Sequence, residues 1–220
     1  MTTRHHFQEA LQEVHDEILK MGTMVEEALD TALRAFRDKE IVLAEHVIAE
    51  DQNIDQMQLL IEDRCTMIMA TEQPVATDLR NLITAIKIAS SLERIADHAV
   101  HLSKTTARLE GKTKMDPLRS LIVPMAEEGI SMVKGALTAL TEHDVEKART
   151  VALHDNRLDE IHTRLFDTLI NFQRENPDFA YQTTDLLFLI RFLERMGDHV
   201  THICEWIILR ETGKHTELNK

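Results

Sequence analysis

Four pairs of acidic side chains have the residue types and the spacing to do chemistry. The pairs are Asp51 with Asp55, Glu93 with Asp97, Asp155 with Asp159, and Glu194 with Asp198. Residues four apart in an α-helix share a face, with Cβ atoms about 5–6 Å apart. Carboxylates that gather at one seam repel one another and need protons or cations to stay there. Because oxygen donors suit hard or borderline cations, the pattern predicts sites for iron, zinc, manganese or magnesium.

A simpler interpretation is that these carboxylates are solvated charges on the flanks of helices. Glu93 and Glu194 would then pair with nearby arginines, for about 0–1 kcal/mol each. His101 and His202 follow Asp97 and Asp198 by four residues, so they are candidate additional ligands or solvent-facing side chains. The histidines directly after the two aspartates point about 100° away from them on a helix, and we set them aside as ligands.

The acidic pairs belong to an internal repeat. LERIADHAVHL at 92–102 returns as LERMGDHVTHI at 193–203, and Asp51 and Asp55 return 104 residues later. Each half contains three long segments with apolar residues at helical spacing, separated by polar or proline breaks. The predicted helices span 5–36, 40–71, 76–109, 117–141, 144–173 and 180–211. The chain is therefore predicted to be all-α, with two tandem three-helix bundles in ranges 1–110 and 111–220.

The composition supports helices and excludes several classes of function. Hydrophobic residues make up 43% of the 220 residues, whereas aromatic residues make up only 4% and glycine and proline are scarce. A net charge of −13 disfavours binding to nucleic acid and to anionic lipid. The strongest apolar run, LLFLI, is too short to span a bilayer, and the N-terminus has no signal-peptide core. Cys65 and Cys204 lie far apart, as expected for reduced thiols in the cytoplasm.

No catalytic motif is recognisable. A di-iron enzyme on a helical bundle needs paired Glu-x-x-His motifs, and the sequence contains none. A glycine-rich phosphate loop and a Ser-His-Asp pattern are also not recognisable. The sequence therefore favours a non-enzymatic protein. A metal-dependent enzyme on a carboxylate-rich bundle remains the alternative, and a helical adaptor whose acidic faces bind a basic partner without metal is a third interpretation.

The sequence resembles the PhoU family of accessory regulators of bacterial phosphate transport. The resemblance rests on the four acidic-x-x-x-Asp motifs in register, on QPVATDLR at 73–80, on LERIADHA and LERMGDHV, and on ICEWIILRETG at 203–213. It covers nearly the whole chain. It implies six helices in two similar bundles, with metal ions held on the bundle surfaces by the acidic motifs.

The resemblance also implies partners and an outcome. The expected partners are the ATPase of the phosphate ABC importer, the phosphate-sensing histidine kinase and a second copy in a homodimer. The expected location is the cytoplasm, with attachment to the inner membrane only through partners. The expected role is negative regulation of phosphate uptake and of the phosphate-starvation response. One departure is Arg191, which lies three residues before Glu194 where the first half has Ser90; we expect it to weaken the second site.

Overall fold

The computed structural model describes residues 2–218 as helices joined by short turns, with no strand among them. The α-helices are α1 (Thr2–Asp38), α2 (Ile41–Glu72), α3 (Thr77–Arg108), α4 (Asp116–Glu142), α5 (Val145–Leu153), α6 (Asp155–Glu175) and α7 (Ala180–Thr212). Two single 3₁₀ turns, Thr113–Met115 and Pro177–Phe179, precede α4 and α7. Because α5 and α6 form one interrupted rod, the described chain has six helical rods, and the all-α prediction is confirmed. Within residues 2–218, no helix is long and apolar enough to cross a bilayer.

The fifth rod differs from the single helix predicted over 144–173. It is interrupted at His154, where the amide of Arg157 donates to the carbonyl of His154 across three residues, at 3.0 Å. Such bonds tighten a helix locally and allow it to change direction. The interruption comes directly before Asp155, one of the predicted site residues. The sequence offers no glycine or proline at this point, so propensity alone could not predict the break.

The repeat extends to the backbone of the turns. Lys39 and His143 follow the first helix of their halves and adopt φ values of 62° and 56°. Both are non-glycine residues in the left-handed region, which costs free energy and is retained where the surrounding structure requires it. The two polar breaks identified in the sequence therefore share a turn geometry.

The two halves share one hydrophobic core. Buried apolar side chains from every α-helix join one continuous cluster. α1, α2 and α3 pack on one another, and so do the helices of the second half, but α3 also packs along α7 and α1 against α4. The division into ranges 1–110 and 111–220 stays a prediction. Met1, Asn219 and Lys220, at the ends of those ranges, lie outside the described residues.

Candidate functional site

The first acidic set lies where α2 packs against α3. Burial raises the pKa of Asp51, and the negative charges of Asp55 and Asp97 raise it further. Burial likewise raises the pKa of Glu93; Arg94 opposes the shift, and Asp97, Asp55 and Asp51 add to it. All four carboxylates are therefore within electrostatic range of one another. The packing of α2 on α3 brings the two sequence pairs to one seam because each pair occupies a single helix face.

Arg94 lies across part of this seam. Its Nε is 3.4 Å from Glu93 Oε2, and its Nη1 is 3.6 Å from Asp97 Oδ2. The arginine side chain is 59% exposed, so these ion pairs are well screened and individually weak. Lys104 also lowers the pKa of Asp51, against the larger effect of burial. Cations of the chain itself therefore offset part of the negative charge, as the helix-flank interpretation requires.

The chemistry of the four carboxylates suits a hard cation, but their present positions do not form a binding site. Four carboxylates supply only oxygen ligands, which is the chemistry that magnesium, manganese and ferric iron favour. Within residues 2–218, however, no three side chains of His, Cys, Asp or Glu converge closely enough to hold a metal ion as they stand. A cation at this seam would require the carboxylates to rotate inward and Arg94 to swing away from them.

A cleft of about 190 Å³ opens beside Asp51, between α1, α2 and α3. Glu50 and Asn53 line it from α2, and Ala96 lines it from α3. The Asn53 amide donates to Glu50 at 2.6 Å, so this rim of the cleft is tied together. The first acidic set is thus open to small solutes on one side.

The matching place in the second half is bridged by side-chain contacts of Glu128. Glu128 of α4 lies 2.8 Å from Nδ1 of His154 and 3.5 Å from Nη1 of Arg157. A shift of 104 residues relates His154 and Arg157 to two residues that line the first cleft, Glu50 and Asn53. The two halves therefore have the same fold but present different charges at this position.

The second acidic set brings three carboxylates together. Burial raises the pKa of Glu194; Arg191 opposes this shift, whereas Asp198 and Asp159 add to it. Nη1 of Arg191 donates to Oε1 of Glu194, as the sequence predicted from their spacing. Oε2 of the same carboxylate is buried and has no hydrogen-bond partner in the described part of the chain. One glutamate oxygen is thus occupied by an arginine and the other is left to accept a ligand.

Asp155, the fourth residue predicted for this set, is in a different environment. It is 2% exposed and packs against Gly197 of α7, where an added Cβ would overlap its Oδ1. The matching residue of the first half is Ala96, and its partner Asp51 is only half-buried. From the sequence alone, alanine in one half and glycine in the other indicate only a difference in packing. The structure shows that the missing methyl group also makes room for a carboxylate against α7.

The histidines after the acidic motifs line the interface of α3 with α7. The ring of His98 lies 5.7 Å from that of His199, and the ring of His101 stacks on Phe192 at 3.8 Å. Burial lowers the pKa of His98 to about 3 and that of His199 to about 4, with neighbouring histidines and arginines adding to both shifts. These rings are packing elements of the junction between the halves, whereas His202 is exposed.

Sequence reasoning anticipated an arginine beside Glu93 but missed that Arg94 also reaches Asp97, and it missed the role of Gly197. Arg94 was visible beside Glu93, but a residue adjacent in a helix ordinarily points to a different face, and only a long side chain reaches back. The role of Gly197 could have been suspected, because a glycine within a buried helical stripe costs stability and usually makes room for something.

The comparisons with known proteins agree on one family. The family model described as the PhoU domain matches the chain twice, over residues 18–106 and 122–207. A protein of Clostridium acetobutylicum, named phosphate-specific transport system accessory protein PhoU homolog, is 38% identical over 218 residues, which cover 99% of either chain. A Borreliella burgdorferi protein of the same name is 36% identical over 213 residues, covering 94% of this chain and 96% of its own.

Two solved structures have the same fold. The crystal structure of PhoU from Pseudomonas aeruginosa superposes with a TM-score of 0.91 at 30% identity, covering 94% of this chain and all of the other. The phosphate transport system regulatory protein PhoU from Streptococcus pneumoniae superposes with a TM-score of 0.87 at 29% identity, covering 96% of this chain and all of the other.

Proposed function

Because the chain belongs to the PhoU family, we propose that it is a non-enzymatic regulator that links a high-affinity phosphate importer to its sensor kinase and restrains phosphate uptake. The observation that carries the proposal is similarity over the full length, through both repeats, to proteins named as accessory to phosphate-specific transport. The regulator acts at the cytoplasmic side of the membrane, where it contacts the ATPase subunit of the importer and the histidine kinase.

The surface chemistry supports action through protein contacts. The chain has a net charge of −13, and both repeats carry exposed or half-buried carboxylates along α2 and α3 or along α6 and α7. Such faces attract basic partner surfaces and speed their encounter, more than they set the final affinity. Long helices provide rigid faces, so little conformational entropy is lost on docking.

The same seams are the proposed metal sites. The first set, Asp51, Asp55, Glu93 and Asp97, holds a divalent or trivalent cation after Arg94 is displaced. The second set holds one less firmly, because Arg191 occupies an oxygen of Glu194 and Asp155 is buried against Gly197. The cation supplies positive charge that joins carboxylates and changes the surface offered to a partner. Metal content of protein purified without chelator, compared with an Asp55→Asn and Asp97→Asn double variant, tests this directly. Unchanged content in the double variant would exclude the first set.

Deletion of the gene tests the regulatory role. We expect the phosphate-starvation response, read from a reporter of the kinase-controlled promoter, to stay on when phosphate is abundant. The wild-type gene should restore repression, whereas a gene encoding Glu93→Gln with Asp97→Asn should restore it less well. Glu146→Gln is a matched control, because this carboxylate on α5 has an 86% exposed side chain and lies outside both acidic sets.

Binding measurements with purified partners complete the test. We expect the chain to bind the importer ATPase or the kinase, with an association rate that falls as salt is raised. Normal phosphate control in the deletion strain, together with no binding to either partner, would contradict the proposal.

A further inference from the structure

A second, larger cavity lies at the junction of the two halves, away from both acidic sets. It is an open cavity of about 710 Å³. Residues of α1 and α3 form one side, and the turn after α4 together with the end of α7 forms the other. Its volume is in the range of small-molecule sites, about 300–1,000 Å³. The metal and partner proposals above make no use of it.

The lining of this cavity is basic in an acidic protein. Arg80, Arg210, His15 and His143 line it, whereas Glu211 is the one carboxylate among its lining residues in the described chain. Arg210 Nε donates to Oε1 of Glu211 at 2.8 Å, and Nδ1 of His143 lies 2.9 Å from the same oxygen. Glu211 therefore holds one arginine and one imidazole in place but cannot neutralise the whole lining.

Arg80 lines the cavity without a counter-ion from the described part of the chain. Among residues 2–218 it has no ion pair and no hydrogen bond through its side chain, and its Nε is buried without a partner. Its Nη1 packs against Gly213, where a Cβ would lie 3.0 Å away. Gly213 has a φ of 72° and ends α7, so the guanidinium sits at the negative end of a long helix. Packing thus fixes its position while its hydrogen-bonding capacity stays unused.

Thr84 adds a buried donor to the same cavity. The residue is 1% exposed, lines the cavity, and its Oγ1 has no hydrogen-bond partner within the described residues. Buried hydroxyl groups are nearly always paired, so an unpaired one at a cavity wall is available to donate to a ligand that enters the cavity. At the matching position of the other half Asp185 pairs with Arg108, at 2.9 Å. The unpaired hydroxyl is therefore not repeated at the matching position of the second half.

The electrostatic environment of His15 agrees with a positive cavity. Burial lowers the pKa of its imidazole, and the charges of Arg210 and His143 lower it further, while Asp16 and Glu211 oppose the shift. The rings of His15 and His143 lie 6.1 Å apart and nearly parallel. The first turn of α3 reaches the cavity at Thr77, and the amides of a helix N-terminus favour anions.

We propose that this cavity binds an anion bearing a phosphate group, with Arg80 and Arg210 as its charge partners and Thr84 as a hydrogen-bond donor. Guanidinium groups suit the oxygens of phosphate because they offer several N–H donors in one plane. The volume exceeds that of a single oxyanion, so the ligand is either inorganic phosphate with water or the phosphate group of a small metabolite. The inference goes beyond the regulatory function and does not depend on it, because it is tested on the purified chain without any partner.

The test is calorimetric titration of the purified chain with inorganic phosphate, with AMP and with adenosine. A chelator in all buffers removes binding through metal on the acidic sets, and chloride keeps the ionic strength constant. We expect saturable binding of AMP or phosphate at one site per chain and no binding of adenosine. Tighter binding of AMP than of phosphate identifies an organic phosphate as the ligand, and equal binding identifies the phosphate group alone. Absence of binding by both anions overturns the proposal.

Variants locate the site. Arg80→Gln should weaken binding by about tenfold or more, since hydrogen bonds to charged groups are the strong ones. Arg149→Gln is the matched control: it removes the same charge from a partly exposed arginine on α5 and should leave the affinity unchanged. Equal losses in both variants would mean that only net charge matters and would overturn the assignment.

Thr84→Val separates binding from folding. The substitution keeps the side-chain shape and removes the unpaired hydroxyl, so the melting temperature of the ligand-free chain should stay the same or rise. Affinity for the phosphate-bearing ligand should fall. A variant that melts normally and binds as well as wild type would exclude Thr84 and, with an unaffected Arg80→Gln, the cavity itself.

Discussion

Gly197→Ala should destabilise the protein even though alanine is the better helix former. In a helix interior the change ordinarily gains about 1 kcal/mol. Here the new Cβ would overlap Oδ1 of Asp155 and lie 2.7 Å from Cδ2 of Leu158. Forcing atoms into a packed interior costs about 1–3 kcal/mol. The expected net loss is therefore up to about 2 kcal/mol, because the buried Asp155 and Leu158 leave little room for the methyl group.

A double-mutant cycle isolates the contact. In an Asp155→Ala background the carboxylate is absent, so Gly197→Ala should recover much of the helix-propensity gain of about 1 kcal/mol. The coupling energy between the two positions should then exceed about 1 kcal/mol, which is in the range found for contacting residues. Urea unfolding followed by far-ultraviolet circular dichroism measures each free energy, provided the m-value stays constant.

The first half supplies the matched control. Ala96 already carries the methyl group at the equivalent position, and Asp51 is only half-buried there. Ala96→Gly should cost about 1 kcal/mol, whether or not Asp51 is replaced by alanine. If Gly197→Ala stabilises the protein equally in both backgrounds, the argument that Gly197 makes room for Asp155 is refuted.

Three further outcomes are expected. Arg191→Ser should raise the metal content or affinity of the second acidic set, because it frees an oxygen of Glu194; equal or lower content, measured by elemental analysis, would contradict this. Cys65 and Cys204 should react with a thiol reagent only as fast as the chain unfolds, because burial raises their pKa values to about 11 and about 12. Rapid labelling of the native protein would argue against this packing. Ala76→Gly should stabilise the protein by about 1 kcal/mol, because Ala76 has a strained backbone with φ 50° and ψ −111°. Relief of this strain outweighs the entropy that glycine adds to the unfolded chain. An unchanged or lower unfolding midpoint would refute this.

Periodicity in the sequence was sufficient to predict the helical rods. Apolar residues at helical spacing mark the core faces of α3 and α7, and polar or proline breaks mark the ends, because both signals act locally. The interruption at His154 was not predictable in this way. No helix-breaking residue stands there, and the break accompanies the packing of Asp155 against a helix that follows much later in the chain.

The acidic sets were predictable in part, because the spacing of residues along a helix is also a local signal. Spacing places Asp51 with Asp55 and Glu93 with Asp97, whereas the structure is what shows that their helices are neighbours. Spacing does not predict burial, so the sequence could not show that Asp155 is buried against Gly197.

The junction cavity was beyond sequence reasoning. Its lining comes from α1, α3, the turn after α4 and the end of α7, and these segments share no local motif. Thr77 and Arg80 belong to QPVATDLR and Arg210 and Glu211 to ICEWIILRETG, but nothing in either segment indicates that the two meet at one cavity. The contrast between a basic cavity and an acidic chain becomes visible only after folding has brought the two halves together.

The continuous hydrophobic core fixes the distance between the two acidic sets. α3 has 32 residues and is therefore about 48 Å long, and it lies along α7 of similar length. Since no separate cores allow one half to rotate on the other, the spacing between the two acidic faces is fixed when the chain folds. Two proteins that bound the two acidic sets would therefore be held at a fixed separation, and a single partner that contacts both sets would have to match it.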